Sequence, residues 1–145
     1  MKTRSLLLSL CAFGALCAAL PAARAANLHA VLITASNESG PTDPRLANYE
    51  VTLRRVLRFK SYTYQGSDST RTEKQRSSEL IIGQGHELQV ETGDDPLSLR
   101  IRWSSGSRTL MNTGLTLRAG VPAVLGGPRT GKAEGEVYAV ILVAR

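Results

Sequence analysis

Apolar positions along this chain change period several times, and the changes mark out its elements. Leu28 to Ala35 is a short apolar run with Thr34 and no helix signal, which predicts a strand buried on both faces or nearly so. Ser36 to Pro44 is a loop by composition, with Asn37, Ser39, Gly40 and Pro41. It closes on Asp43-Pro44, an N-cap residue followed by proline at the first helical position. Leu46, Tyr49, Leu53, Val56 and Leu57 then share a stripe roughly 100° wide on a 3.6-residue period, and Glu50 stands four residues before Arg54. One amphipathic helix is expected, about Pro44 to Arg58.

After the helix the period becomes two, with Tyr62 and Tyr64 on one side and Phe59, Ser61 and Thr63 on the other. Gln65 to Ser78 has no large apolar residue and is rich in Ser, Thr and Arg, so the expectation is an exposed loop or a hairpin polar on both faces, and the most mobile part of the chain. Glu79 to Ile82, a Gly83-Gln84-Gly85 turn and His86 to Thr92 read as a hairpin with Leu88 and Val90 on its apolar face. Gly93-Asp94-Asp95-Pro96 is the next turn. Leu97, Leu99, Ile101 and Trp103 alternate with Ser98, Arg100, Arg102 and Ser104, the mark of a half-buried antiparallel strand.

Thr109 to Arg118 and Val121 to Leu125 continue the pattern around Gly120, with Met111, Leu115 and Leu117 inward, and the unbroken run Val137 to Ala144 predicts a central strand. Strands at roughly 8- to 12-residue spacing predict a mainly β fold with one helix: an antiparallel β-sandwich or partly closed barrel with a single packed amphipathic helix. No internal repeat or long linker divides it.

Lys2 and Arg4 precede the nearly unbroken apolar stretch Ser5 to Leu20, and Ala23-Arg24-Ala25 has the small-x-small form of a cleavage site. Residues 1–25 are therefore expected to be a cleaved secretion signal and residues 26–145 a single β-rich domain, periplasmic or secreted. The apolar stretch is shorter than the about 20 residues of a spanning helix, so no transmembrane segment is expected after cleavage. Both cysteines, Cys11 and Cys17, lie in the signal and each follows a leucine, which fits no lipid-anchor box. The mature domain would hold neither disulfide nor thiolate, and packing must stabilise it. The formal charge of +6 includes Lys2, Arg4 and Arg24, leaving +3, too small an excess to suggest nucleic-acid binding.

Gly126-Gly127-Pro128-Arg129-Thr130-Gly131-Lys132 has the glycine and lysine spacing of a phosphate-binding loop, but Ala133 stands where a hydroxyl must hold magnesium, and Gly135 and a strand follow where a helix should begin. It reads as a Gly-Pro turn between strands, and neither nucleotide nor any other cofactor is expected. His29 and His86 are the only imidazoles, with no cysteine and no carboxylates at ligand spacing, so no metal site is expected. His86, opening a strand after a glycine turn, reads as an edge histidine satisfied by solvent or backbone, and His29 as half buried in the first strand. The serine elbow Gly-x-Ser-x-Gly is absent, Asp94 and Asp95 are ordinary turn formers, and no catalytic residue is assigned. Asn37-Glu38-Ser39 is a formal glycosylation sequon, relevant only to a eukaryotic source. Two basic surfaces remain: Arg54, Arg55 and Arg58 opposite the helix's apolar stripe, and Arg100 and Arg102 on the wet face of the Trp103 strand, with Arg118 as a neighbour. Their expected partners are an anionic glycan, a lipid headgroup or an acidic envelope protein; the alternative is an ordinary solvated face.

The order of helix, Lys60-Ser61-Tyr62, Gly83-x-Gly85-His86-x-Leu88-x-Val90, Leu97-x-Leu99-x-Ile101, Leu117-Arg118-x-Gly120 and Gly126-Gly127-Pro128 resembles small signal-bearing bacterial envelope proteins of unknown function. Thr113 to Gly127 is also similar to a strand and turn of the secretin channels of bacterial secretion systems, over about fifteen residues and without the pore-forming region. Neither resemblance carries a catalytic residue. The expected function is an exported, soluble, non-enzymatic binding or assembly module of the bacterial envelope. The alternatives are a secretin-associated or secretion-system accessory protein, and a small hydrolase whose site is assembled from dispersed residues such as His86 and Asp94.

Overall fold

A computed structural model describes residues 25–145, so the expected export signal, except for its last residue, lies outside the described residues. Eight strands form: β1 (Ala26–Ser36), β2 (Ser61–Thr72), β3 (Ser77–Gly83), β4 (His86–Thr92), β5 (Ser98–Ser105), β6 (Arg108–Thr116), β7 (Ala123–Arg129) and β8 (Val137–Ala144). They make two four-stranded sheets, ordered β2-β1-β8-β7 and β3-β4-β5-β6, with every neighbouring pair antiparallel. The sheets pack face to face without closing into a barrel, and the helix covers the outer face of the first.

That layering explains the two unbroken apolar runs. β1 sends Leu28, Ala30 and Leu32 into the core between the sheets and Val31, Ile33 and Ala35 into a second cluster under the helix. β8 does the same with Tyr138, Val140 and Leu142 on one side and Ala139, Ile141 and Val143 on the other. A strand with no wet face has no polar alternation to show. The second sheet has helix on neither face, so β4 and β5 keep their period of two: Leu88, Val90, Leu99, Ile101 and Trp103 are buried while Gln89, Glu91, Arg100 and Arg102 are exposed.

The helix begins at Pro44, as expected, with Asp43 Oδ1 accepting from Arg45 N at 3.0 Å. Its first part, Pro44–Tyr49, is a 3-10 helix that runs into α1 (Glu50–Val56). Thirteen residues are too few for a helix that is stable by propensity; Leu46 and Leu53, both fully buried, hold it down, at about 1.5–3 kcal/mol each. The helix stops before Arg58, short of the expected end, because Arg58 adopts a left-handed φ of 58° that ends the helical hydrogen bonding. Tyr62 fastens the exit: its hydroxyl donates to Leu53 O at 3.0 Å and accepts from Phe59 N at 3.1 Å.

Gln65 to Ser78 is not a loop. β2 continues through Gln65 to Thr72, paired with β1 as far as Ala26↔Thr72. It lies at the sheet edge, where its polar side chains add to the backbone ladder, Gln65 Nε2 donating to Thr34 Oγ1 and Thr72 Oγ1 to Ala26 O, each at 3.1 Å. Around Gly66 it packs closely against β3 of the second sheet without joining its ladder. A Cβ on Gly66 would sit 2.9 Å from the Ile82 carbonyl carbon, and Asp68 Oδ2 accepts from Ile81 N at 3.0 Å. The link from 73 to 76 is pinned by Gln75 N donating to Gly93 O and Arg76 N to Thr92 Oγ1. One long side of the sandwich is thus stitched by β2 and β3, while β6 and β7, the edges on the other side, share no ladder.

Candidate functional site

The second correction concerns the glycine-rich string. Gly126 to Arg129 belong to β7, which bulges between Gly126 and Arg129, and the turn comes later, through Gly131 and Gly135, both at φ 72°. Gly127 is where it is because Trp103 fills the space beside it: a Cβ there would lie 2.5 Å from Trp103 Cζ3 and 2.9 Å from Tyr138 O. Strand β8 follows the turn, so Lys132 has no phosphate cradle of the helix-terminus kind around it.

His86 is the third correction. β4 lies inside its sheet, between β3 and β5, so this histidine is not at an edge. Its ring is 3% exposed, 4.5 Å from the Tyr138 ring and 5.8 Å from that of Trp103. Trp103 Nε1–H donates to His86 Nδ1 at 2.9 Å. An indole nitrogen only donates, so Nδ1 holds a lone pair and the ring proton sits on Nε2. Burial, with a smaller contribution from the Lys132 charge, holds the imidazole below its ordinary pKa, which keeps it neutral. Among the described residues nothing bonds to Nε2, and it is not sealed from solvent.

His86 lines a cleft of about 510 Å³ at the open end of the sandwich, and Nε2 is its one ring nitrogen left without a partner there. Both sheets contribute. Gln84 comes from the β3–β4 turn, Ser105 from the end of β5, Arg108 and Leu110 from the start of β6, Pro128 and Arg129 from β7, Thr130 and Lys132 from the connection that follows, and Tyr138 from β8. Three of the ten lining residues are cations and none is acidic. Arg108, Arg129 and Lys132 are all exposed, and among the described residues none of them forms an ion pair. Two carboxylates stand just outside: Glu136 accepts from the lining Thr130 Oγ1 at 2.9 Å, that hydroxyl in turn accepting from Lys132 N at 3.2 Å, and Glu134 shares an adjoining hollow with Arg129 and Lys132. The cleft offers an anion three positive side chains and an N–H donor, with the Tyr138 ring, Leu110 and Pro128 as apolar walls.

A larger depression, about 600 Å³, lies at the other end of β4 and β5, but its two charged residues, Glu91 and Arg100, offset each other. The expected basic face of the second sheet is likewise interleaved. Register sets Arg100 opposite Glu91 and Gly114, and Arg102 opposite Gln89 and Asn112, while Arg118 lies beyond the end of β6. Arg54, Arg55 and Arg58 are exposed. Arg54 pairs with Glu50 at 2.9 Å and lies 5.9 Å from the Tyr62 ring centre. His29 is partly buried, its Nδ1 2.7 Å from Ser69 Oγ.

The structure does not bring His86 and Asp94 together. His86 opens β4 and Asp94 lies two residues past its other end, with the strand's length of about 20 Å at some 3.3 Å per residue between them, and Asp94 Oδ1 accepts from Gln75 Nε2. Ser105 does lie opposite His86 in register and lines the cleft, yet the only lone pair of that imidazole is occupied by Trp103, so it cannot take a proton from a serine. Among the described residues no three metal-binding side chains gather, and no helix is long and apolar enough to cross a membrane. No family model, curated protein or solved structure matches the chain.

Proposed function

We propose that the chain is an exported, non-enzymatic binding module of the bacterial envelope, and that the cleft between β6 and β7 is where it holds an anionic group of its ligand. The observation that carries this is the gathering of Arg108, Arg129 and Lys132 over the His86 Nε2–H with no carboxylate among the lining residues. Cations converging in a partly walled cleft raise the local potential and draw anions, while exposed cations in an interleaved face are balanced by their neighbours. The neutral imidazole, its one lone pair already taken by Trp103, adds a donor but no free base, which suits binding rather than acid-base catalysis. Export rests on the N-terminal pattern of Lys2, Arg4, the apolar stretch and Ala23-Arg24-Ala25.

The single tryptophan makes the test direct, because Trp103 is bonded to the histidine that floors the cleft. Inorganic phosphate is titrated into the purified protein while Trp103 fluorescence and its indole N–H resonance are followed. A saturable change is expected that weakens with added sodium chloride, as screening of exposed charges requires. It should be lost in Arg108→Gln/Arg129→Gln and kept in Arg54→Gln/Arg55→Gln/Arg58→Gln. No response in the wild-type protein, or equal responses in both variants, refutes the assignment of the cleft.

A further inference from the structure

The cleft has a neighbour that specifies what kind of anion belongs in it. Three of the four sheet edges are protected in recognisable ways. β2 and β3 cover one another along the stitched side, through Asp68 and the close approach at Gly66. β7 is broken by its Gly126–Arg129 bulge, within which Pro128 has no N–H to offer. β6 is different. Past the register shift opposite Trp103, its residues Met111 to Thr116 pair regularly with β5 on one side and with nothing on the other. That stretch contains no proline and no charge, which are the ordinary means of blunting an edge. It presents a row of outward backbone donors and acceptors, solvated in the free protein, that is a ready template for another strand.

The direction of β6 joins this edge to the cleft. β6 runs from Arg108, which lines the cleft, to Thr116, which does not. A strand added antiparallel, like every other pair in the sheet, runs the opposite way and so delivers its C-terminal end beside Arg108 and Leu110. Arg145, the residue that follows β8, is held away from this edge, its N donating to Asn27 O and its O accepting from Asn27 N at the far side of β8. Resting on the reading of the cleft as an anion site, we propose that the ligand is the C-terminal segment of another polypeptide, added as an antiparallel strand to β6, with its terminal carboxylate among Arg108, Arg129, Lys132 and the His86 Nε2–H. Main-chain ladder bonds would supply affinity, as in other strand-addition complexes, and the carboxylate would set the register. The final side chain would lie against Leu110, Pro128 and the Tyr138 ring, which favours an apolar last residue.

The test pans a random pool of peptides, about eight residues each, displayed with free C-termini over the purified protein, the length following from some 20 Å of regular edge plus the cleft. Enriched sequences are then synthesised as free acids, as carboxamides, and with N-methyl groups at alternate residues. Free acids are expected to bind at least about tenfold more tightly than their carboxamides, a difference of roughly 1.4 kcal/mol. Arg108→Gln/Arg129→Gln should erase that preference, and one of the two alternate N-methyl sets, but not the other, should abolish binding. No enrichment, carboxamides equal to acids, or indifference to both N-methyl sets overturns the proposal. So does a concentration-dependent dimer held by β6 against β6. Trp103 fluorescence with inorganic phosphate separates the two levels: if phosphate still binds when the peptides fail, the cleft remains an anion site and only the polypeptide is wrong.

Discussion

Replacing Gly127 by alanine places one methyl group against the most crowded point of the core. The added Cβ would lie 2.5 Å from Trp103 Cζ3 and 2.9 Å from Tyr138 O, inside any tolerable contact, and nearer still to Trp103 Cη2. Trp103 is fully buried and tethered to His86, so it has little freedom to move aside. Overpacking of this kind costs about 1–3 kcal/mol. Phenylalanine at position 103 removes the indole part of the clash and leaves the 2.9 Å approach to Tyr138 O. In a Trp103→Phe background the same Gly127→Ala change should therefore still destabilise, but by about 1 kcal/mol less than beside tryptophan. Urea denaturation of the four proteins gives the cycle, with unchanged m-values needed for the comparison. A Gly127→Ala cost below about 0.5 kcal/mol, or one undiminished beside phenylalanine, would show that the indole does not pack on this glycine.

Acid should destabilise the protein in two steps. His86 has its folded pKa held below 6.5, so the unfolded state takes up the proton first and stability falls as pH drops below about 6.5. Asp43, lowered from 3.8 to about 2 by the hydrogen bonds it accepts from Arg45, loses its contribution between those values. Urea midpoints across the acid range should lose the upper step in His86→Gln and the lower one in Asp43→Asn. Tyr62→Phe leaves Phe59 N without its partner, while Leu53 O keeps its bond from Leu57 N, and should cost about 1–2 kcal/mol, measured by the same unfolding. Arg58→Gly relieves the left-handed φ at the helix exit and should stabilise by about 0.5–1 kcal/mol, seen as a raised urea midpoint.

Where one local interaction dictated the outcome, the sequence was readable. Asp43-Pro44 began the helix at the expected residue, and the alternation from Leu97 to Trp103 marked a strand with one wet face. The runs Leu28 to Ala35 and Val137 to Ala144 announced burial on both faces but not that they pair with one another, a fact of topology. The period of two at Tyr62 and Tyr64 marked the start of β2, but its continuation from Gln65 was hidden, because hydrophobic periodicity reports side-chain burial and these polar side chains lie at a sheet edge. His86 was misplaced because strand order decides whether a position is at an edge. The cleft was legible only in fragments. Arg129 and Lys132 stood out within the glycine-rich string, but their neighbours Arg108 and His86 arrive from other strands, and nothing in their spacing foretold it.

The pairing of β1 with β8 has a kinetic consequence. The first and last strands sit side by side at the centre of their sheet, from Leu28↔Ala144 to Ala35↔Val137, and their ends are tied by reciprocal Asn27–Arg145 backbone bonds. Closing that ladder brings together residues separated by nearly the whole described chain, so the loop-closure entropy falls due before its contacts form and folding is slow for the protein's size.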